Sequence, residues 1–152
     1  MINNGSVLLL LTTLVLAFYN VGTIWAHEID IFRTWKLLDP NTFRRVQTIH
    51  WNKLTYWVFI PVGLSFLTSI MLIWYHPLGT PSWAIWGNLI LQLLSHALTA
   101  LMWGPWQAKL SRDELGPRSP YLRKILKTHW IRTTLINTHA FVLFIWLIKI
   151  IK

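Results

Sequence analysis

Four long apolar runs, separated by polar segments, set the pattern of the chain. A bilayer core of about 30 Å needs about 20 apolar helical residues, so each run is long enough to cross it. The pattern predicts an all-α membrane protein in which residues 1–152 form a single domain, an antiparallel bundle of four transmembrane helices. The first run lacks the positive start of a signal peptide, so we expect it to stay in the mature protein. The runs cover about residues 6–25, 54–74, 83–102 and 131–148, and their only charge is Arg132, at the edge of the fourth.

Prolines mark where the helices begin. Asp39-Pro40 and Ser119-Pro120 each have the pattern of an N-cap followed by proline at the first helical position. The second and fourth helices should therefore start well before the bilayer, as cytoplasmic helical extensions. Thr80-Pro81 is expected to start the third helix. Pro61 should kink the second helix, and Gly104-Pro105 should interrupt or end the third.

Polar side chains inside the apolar runs share one face of each helix. At about 100° per residue, Gln92, His96 and Thr99 fall in one sector of the third helix, where contact with lipid would be costly. In an up-and-down bundle the end of helix one, the start of two, the end of three and the start of four meet on one side. Every histidine except His76 therefore converges there: His27, His50, His96, His129 and His139.

Imidazoles clustered in a low-dielectric pocket can bind a metal ion, ligate haem, transfer protons or hydrogen-bond a hydrophobic ligand. His96 and His139 lie about 10 Å deep and are the candidate metal ligands, while haem, copper and no cofactor at all stay open. The resulting candidate site has catalytic residues His50, His129 and Arg132 at its mouth and cofactor-binding residues His96, His139, Asn20, Gln92 and Thr99.

Arg132 lies about one turn inside the apolar boundary, where a guanidinium must be desolvated, paired or turned to lipid phosphate. The nearest acids are Glu28 and Asp30, near the end of the first helix. An inward Arg132 could hold one of those carboxylates or stabilise an oxyanion on a phenol or quinone-like ligand. An outward Arg132 would indicate a lipid or subunit contact.

Composition and charge narrow the function classes. Hydrophobic residues make up 54% of the chain, and the absence of cysteine excludes thiolate nucleophiles, disulfide exchange and cysteine-ligated metal sites. Eleven of the 14 Lys and Arg residues fall within residues 25–53 and 103–129, so the net charge of +9 indicates topology and anionic lipid, not nucleic acid. Both segments are expected in the cytoplasm and both termini outside the bacterial inner membrane. Tryptophans near the run ends, Trp103 and Trp146 among them, are expected to form interfacial belts. The alternative is that Trp57, Trp103 and Trp130 form the wall of a pocket for a flat ring.

Several catalytic patterns are absent from the sequence. It contains no G-x-S-x-G, no P-loop, no H-E-x-x-H and no Glu-x-x-His pair. All five acidic residues lie in the connections expected in the cytoplasm. A carboxylate-rich metal site inside the membrane is therefore excluded, whereas a histidine-rich one is not.

Short motifs along most of the chain resemble those of a known family. They are the run from Phe43 to His50, Pro61, Thr99 followed by Pro105-Trp106-Gln107 and Leu110, and His129-Trp130-Ile131-Arg132-Thr133. In order and spacing they are similar to small bacterial four-helix membrane proteins of the anthrone-oxygenase-like family. The resemblance implies a four-helix membrane fold and, for the named oxygenases, an oxidative role on aromatic or quinone-like substrates. This chain has His129 where asparagine is common in the family and His139 where arginine is common.

Two functions follow as hypotheses. The first is a histidine-rich, cytoplasm-facing intramembrane pocket for a redox-active or hydrophobic aromatic ligand, such as a quinone-like compound, in an oxygenase-like enzyme. The alternative is a non-enzymatic accessory subunit of a larger membrane complex, in contact with lipid, pigment, partner subunits or further copies of the chain.

Overall fold

Four long helices joined by three short connections make up the fold. The structure, a computed structural model, describes residues 4–152. Each of the four helices is long and apolar enough to cross a membrane, which confirms the all-α class and the presence of four helices of spanning length. We number them α1 (Asn4–Trp35), α2 (Pro40–Met71), α3 (Ser82–Leu110) and α4 (Pro120–Ile151).

The N-caps of α2 and α4 are formed as the sequence predicts. Asp39 Oδ1 accepts hydrogen bonds from the backbone N–H groups of Asn41 and Thr42 at 3.0 and 3.1 Å. Bonds from Thr42 hold the pKa of the Asp39 carboxyl below its ordinary value, because they favour the charged form. Ser119 Oγ accepts from the backbone N–H of Tyr121 at 3.1 Å. Both caps satisfy N–H groups that the first turn of a helix leaves free.

The helix ends follow the sequence closely. Helix α2 ends at Met71 and residues 72–74 form a turn. Helix α3 begins at Ser82, one residue after Pro81, since Pro81 is extended and Thr80 forms no cap. Its α-helical part is interrupted at Thr99–Trp103, directly before Gly104-Pro105, as the sequence predicts, and the helix then continues to Leu110.

Two clusters of buried apolar residues hold the bundle together at its two ends. We call the end next to residues 72–81 the turn end, and the end next to residues 36–39 and 111–119 the basic end. All four helices, or the residues that directly follow them, contribute to each cluster, so the layer between the clusters is enclosed by all four. The turn-end cluster is Leu10, Leu14, Ala17, Leu72, Ala84, Ala140, Leu143 and Trp146, and the basic-end cluster is Phe32, Trp35, Phe43, Leu110, Leu122 and Ile125.

Two tryptophans predicted to lie in the interfacial belts are buried instead. Trp146 has 0% exposure and its indole N–H donates to Thr80 Oγ1 at 3.0 Å. Trp103 has 2% exposure and donates to Thr128 Oγ1 at 3.0 Å. An indole can be buried once its N–H has an acceptor, and in both cases a threonine hydroxyl supplies it.

Candidate functional site

Three of the four helices contain a π-helical turn on the basic-end side of the bundle. These turns are His27–Ile31 in α1, Thr55–Phe59 in α2 and Thr99–Trp103 in α3. The last two directly precede Ile60-Pro61 and Gly104-Pro105, where proline removes a backbone N–H and crowds the carbonyl four residues earlier. The wider turn relieves that crowding without ending the helix, and such turns are frequent at functional sites.

The carbonyl freed by Pro61 has a specific partner. Trp57, four residues before the proline, accepts a hydrogen bond from the hydroxyl of Tyr19 on α1 at 3.0 Å. In α3, a Cβ added to Gly104 would lie 3.0 Å from the carbonyl oxygen of Thr99, so this close approach suits glycine. The turns that precede Pro61 in α2 and Pro105 in α3 therefore have specific local contacts, and both lie in the layer between the two apolar clusters.

A cavity of about 250 Å³ lies in that layer. Most of its wall is apolar and comes from α2, α3 and α4, including Phe59, Leu91 and Ile136. Its volume exceeds the roughly 150 Å³ of an apolar cavity that holds benzene, so a two-ring ligand is a reasonable size for it. The polar side chains that line it are Asn20, Ser65, Gln92, Ser95, His96, Thr99, Arg132 and His139.

A second compartment of about 70 Å³ adjoins the first on the side of the basic end. The two share part of their walls, including Asn20, Thr99 and Arg132. The smaller one is also lined by His27 and His50, whose ring centroids are 5.1 Å apart in an edge-to-face arrangement. Two connected spaces result, one wide and mostly apolar, the other narrow with several polar groups.

Three buried polar atoms around the smaller compartment have no hydrogen-bond partner among the described residues. They are Asn20 Oδ1, His50 Nε2 and Arg132 Nε. Buried polar atoms are normally paired, because each unpaired one costs about 1–3 kcal/mol. The smaller compartment therefore offers a ligand the amide oxygen of Asn20, the guanidinium of Arg132 and the imidazole nitrogen of His50.

Arg132 points inward and lines both compartments. Its guanidinium carbon lies 5.9 Å from the centroid of the Trp103 ring, a cation–π contact. No carboxylate lies within 4 Å of it in residues 4–152. The partner suggested by the sequence, Glu28, instead accepts a hydrogen bond from His129 Nδ1 at 2.8 Å and lies 3.7 Å from Arg33. The inward orientation leaves the positive charge of Arg132 facing the cavity.

A hydrogen-bonded network closes the larger compartment toward the turn end. His139 Nε2 on α4 lies 2.7 Å from Asn88 Oδ1 and 2.9 Å from Gln92 Nε2, both on α3. Ser69 Oγ on α2 donates to Asn88 Oδ1 at 3.1 Å and also bonds Gln92 Nε2. His96 Nδ1 donates to the Gln92 carbonyl at 2.6 Å, which in the neutral ring leaves the lone pair on Nε2.

The structure brings most of the sequence-predicted site residues together. Seven of the eight, all except His129, line one or both compartments. His129 is buried beside Phe32, with ring centroids 4.7 Å apart, and is not among the lining residues. Among the described residues no group of three His, Asp or Glu side chains could hold a metal ion. His96 and His139, the candidate metal ligands, both line the larger compartment.

Two neighbours of the site differ from the favoured sequence interpretation. A belt is the favoured place for Trp103, yet it lines the smaller compartment under Arg132, the alternative that the sequence leaves open. Glu28 is one of the two acids that the sequence offers to Arg132, yet it pairs with His129. The available signal for Glu28 was its place one residue after His27, at a helix end predicted to meet the start of the fourth helix.

No family model, curated protein or solved structure matches this chain.

Proposed function

We propose that the four helices cross the bacterial inner membrane as an antiparallel bundle, with the basic end in the cytoplasm and both termini outside. The excess of Lys and Arg at one end supports this orientation through the positive-inside rule. The two apolar clusters support the antiparallel arrangement, since each combines the end of one helix with the start of the next.

Labelling of single cysteines with a membrane-impermeant reagent tests the orientation. Exposed residues without special backbone conformations suit the test, so Leu78 represents the turn end and Glu114 the basic end. Their neighbours Gly79 and Gly116 have positive φ angles of 77° and 54°, which a cysteine would strain. We expect labelling of Leu78→Cys from outside and none of Glu114→Cys. The opposite result would reverse the orientation and open the pocket to the outer side.

We further propose that the two compartments form a pocket for a hydrophobic, redox-active aromatic ligand that carries an oxygen substituent, such as a quinone-like compound. The observation that carries this proposal is the inward guanidinium of Arg132, which has no carboxylate partner among the described residues. A buried, uncompensated cation is costly, and an anionic or strongly polarised oxygen would compensate it. The ring of the ligand would occupy the larger compartment and its oxygen the smaller one.

The residues of the smaller compartment suit the deprotonation of a phenol. His50 Nε2 would accept the phenolic proton, and Arg132 would hold the resulting oxyanion through its N–H groups. Asn20 Oδ1 would accept a hydrogen bond from a second hydroxyl on the ring. Oxygenase-like chemistry on such a ligand is the reaction class that the family resemblance suggests. A visible absorption spectrum and metal analysis of the purified protein would distinguish haem, copper and cofactor-free cases.

Binding of 2-hydroxy-1,4-naphthoquinone, a coloured two-ring probe with an acidic hydroxyl, tests the pocket. Arg132→Lys keeps the positive charge but loses the planar donor fork, so we expect the Kd to rise about tenfold. Arg123→Lys is the matched control, because Arg123 is exposed at the basic end and outside both compartments. Unchanged binding in a folded Arg132→Lys protein would contradict the pocket and favour the accessory-subunit alternative.

A further inference from the structure

A groove of about 410 Å³ runs between α1 and α4 on the outer surface of the bundle, near the basic end. The exposed indoles of Trp25 and Trp130 line it together with Glu28 and Arg33. Its residues are distinct from those of the two compartments. Under the membrane insertion proposed above, this surface faces lipid at the level of the headgroups, where tryptophan is favoured.

Two threonines deeper in the groove have hydroxyls without a partner. A threonine in a helix commonly donates to the carbonyl four residues earlier, as Thr12, Thr99 and Thr128 do here. Thr134 and Thr138 are exposed and make no such bond to any described residue. A hydroxyl that faces the bilayer is expected to find an acceptor, because no water satisfies it there. The groove therefore offers two donors to something outside the chain.

The upper part of the groove carries one negative and one positive group side by side. Glu28 Oε1 and Arg33 Nη2 are 3.7 Å apart, and the Arg33 side chain is 63% exposed. An ion pair this long is weak where its cation is largely exposed, so the Arg33 guanidinium stays available to a ligand. The Glu28 side chain is only 18% exposed and its Oε2 already accepts from His129 at 2.8 Å, so Oε1 is the oxygen that remains for a ligand cation. The combination of Arg33 and Glu28 is complementary to a zwitterionic headgroup, whereas a purely anionic headgroup would be repelled by Glu28.

We propose that this groove binds one glycerophospholipid with a zwitterionic headgroup that contains a primary ammonium, of the phosphatidylethanolamine type. Arg33 pairs with the phosphate, and the Glu28 carboxylate accepts hydrogen bonds from the ammonium. An ester carbonyl accepts from Thr134. Thr134 lies four residues beyond Trp130 along α4, about 6 Å deeper at 1.5 Å per residue, which matches the headgroup region of about 5–8 Å on each side of a bilayer.

This inference rests on the proposed membrane insertion but not on the aromatic-ligand pocket. Native mass spectrometry of the purified protein tests it, with phosphatidylethanolamine, phosphatidylcholine and phosphatidylglycerol of identical acyl chains added at equal concentration. We expect one tightly retained phosphatidylethanolamine. Phosphatidylcholine should bind less because its ammonium has no N–H donor, and phosphatidylglycerol should bind less because it has no cation for Glu28.

Two variants locate the lipid in the groove. Arg33→Gln should lower the retained fraction about tenfold, as loss of a charge-assisted bond predicts, whereas Arg45→Gln, the same change at an exposed residue outside the groove, should leave it unchanged. Thr134→Val, which keeps the shape of the side chain, should lower it about threefold. The two variants are independent tests, so a well-folded variant still tests the groove if the other one folds poorly.

Three results would overturn the proposal. Equal retention of phosphatidylglycerol would indicate a general basic patch, and equal loss in Arg33→Gln and Arg45→Gln would indicate bulk electrostatics. Efficient crosslinking between two copies carrying Thr138→Cys would indicate that a second copy covers the groove. Arg132→Lys separates this inference from the pocket, because it should weaken naphthoquinone binding and leave lipid retention unchanged.

Discussion

Replacement of His139 by leucine distinguishes a binding role of this histidine from a purely structural one. The change removes the contacts of Nε2 with Asn88 at 2.7 Å and Gln92 at 2.9 Å. Both amides keep another partner, because Asn88 still bonds Ser69 at 3.1 Å and Gln92 still bonds the Ser65 carbonyl at 3.3 Å. Only one of the two contacts is a hydrogen bond in a given tautomer, because Nε2 must donate to Asn88 Oδ1 and accept from Gln92 Nε2. At about 0.6 kcal/mol for an interhelical hydrogen bond in a membrane, the free energy of unfolding should fall by less than about 1 kcal/mol.

Leu143→Ala is the matched structural control. Leu143 lies one turn further along α4, has 0% exposure in the turn-end cluster, and lines neither compartment. Truncation of a buried leucine typically costs about 2–5 kcal/mol, because it leaves a cavity. We therefore expect Leu143→Ala to destabilise the protein more than His139→Leu. Binding should show the opposite order, since only His139 reaches the larger compartment.

Unfolding of each variant in a detergent-to-SDS titration gives the stabilities, and 2-hydroxy-1,4-naphthoquinone titration gives the affinities. His139→Leu should raise the Kd about five- to tenfold, equivalent to one hydrogen bond to the probe, and Leu143→Ala should change it less than twofold. If His139→Leu proves the more destabilising change and leaves the Kd unaltered, His139 belongs to a packing network alone and the reasoning is refuted.

Three smaller predictions concern the helices that carry the site. Ser119→Ala removes the α4 cap and should lower the free energy of unfolding by about 1 kcal/mol, measured by the same titration. Bonds from Thr42 lower the pKa of Asp39, so the α2 cap should stabilise the helix fully above the ordinary pKa of 3.8 and be lost as the pH falls through the lowered pKa. Asp39→Asn should abolish this pH dependence of the helicity, measured by circular dichroism. Tyr19→Phe leaves the Trp57 carbonyl without its donor and should speed amide exchange around the α2 π-helical turn, followed by mass spectrometry, whereas an unchanged rate would show that the bond does not hold the turn.

The sequence predicted those parts of the fold that depend on local chemistry or on simple periodicity. Asp39 and Ser119 cap their helices because an acceptor side chain directly before proline suffices for that role. The face shared by Gln92, His96 and Thr99 follows from helical geometry and turns to the cavity. These features do not depend on which side chains of different helices are in contact.

The remaining features depend on contacts between particular pairs of residues, which a periodic pattern does not contain. The sequence predicts a disturbance of the helix at Pro61 and at Pro105 but not its form, a π-helical turn directly before each proline that relieves the crowding. Glu28 selects His129 over Arg132, and Trp103 is buried because Thr128 accepts from its indole. Each depends on three-dimensional packing between helices distant in sequence.

An experimental structure of the protein with 2-hydroxy-1,4-naphthoquinone bound tests the central claim most directly. The account predicts the ring in the larger compartment and a probe oxygen within about 3.2 Å of a guanidinium nitrogen of Arg132, at hydrogen-bond distance. A probe bound on the lipid-facing surface, or an Arg132 side chain turned outward to phosphate, would contradict it.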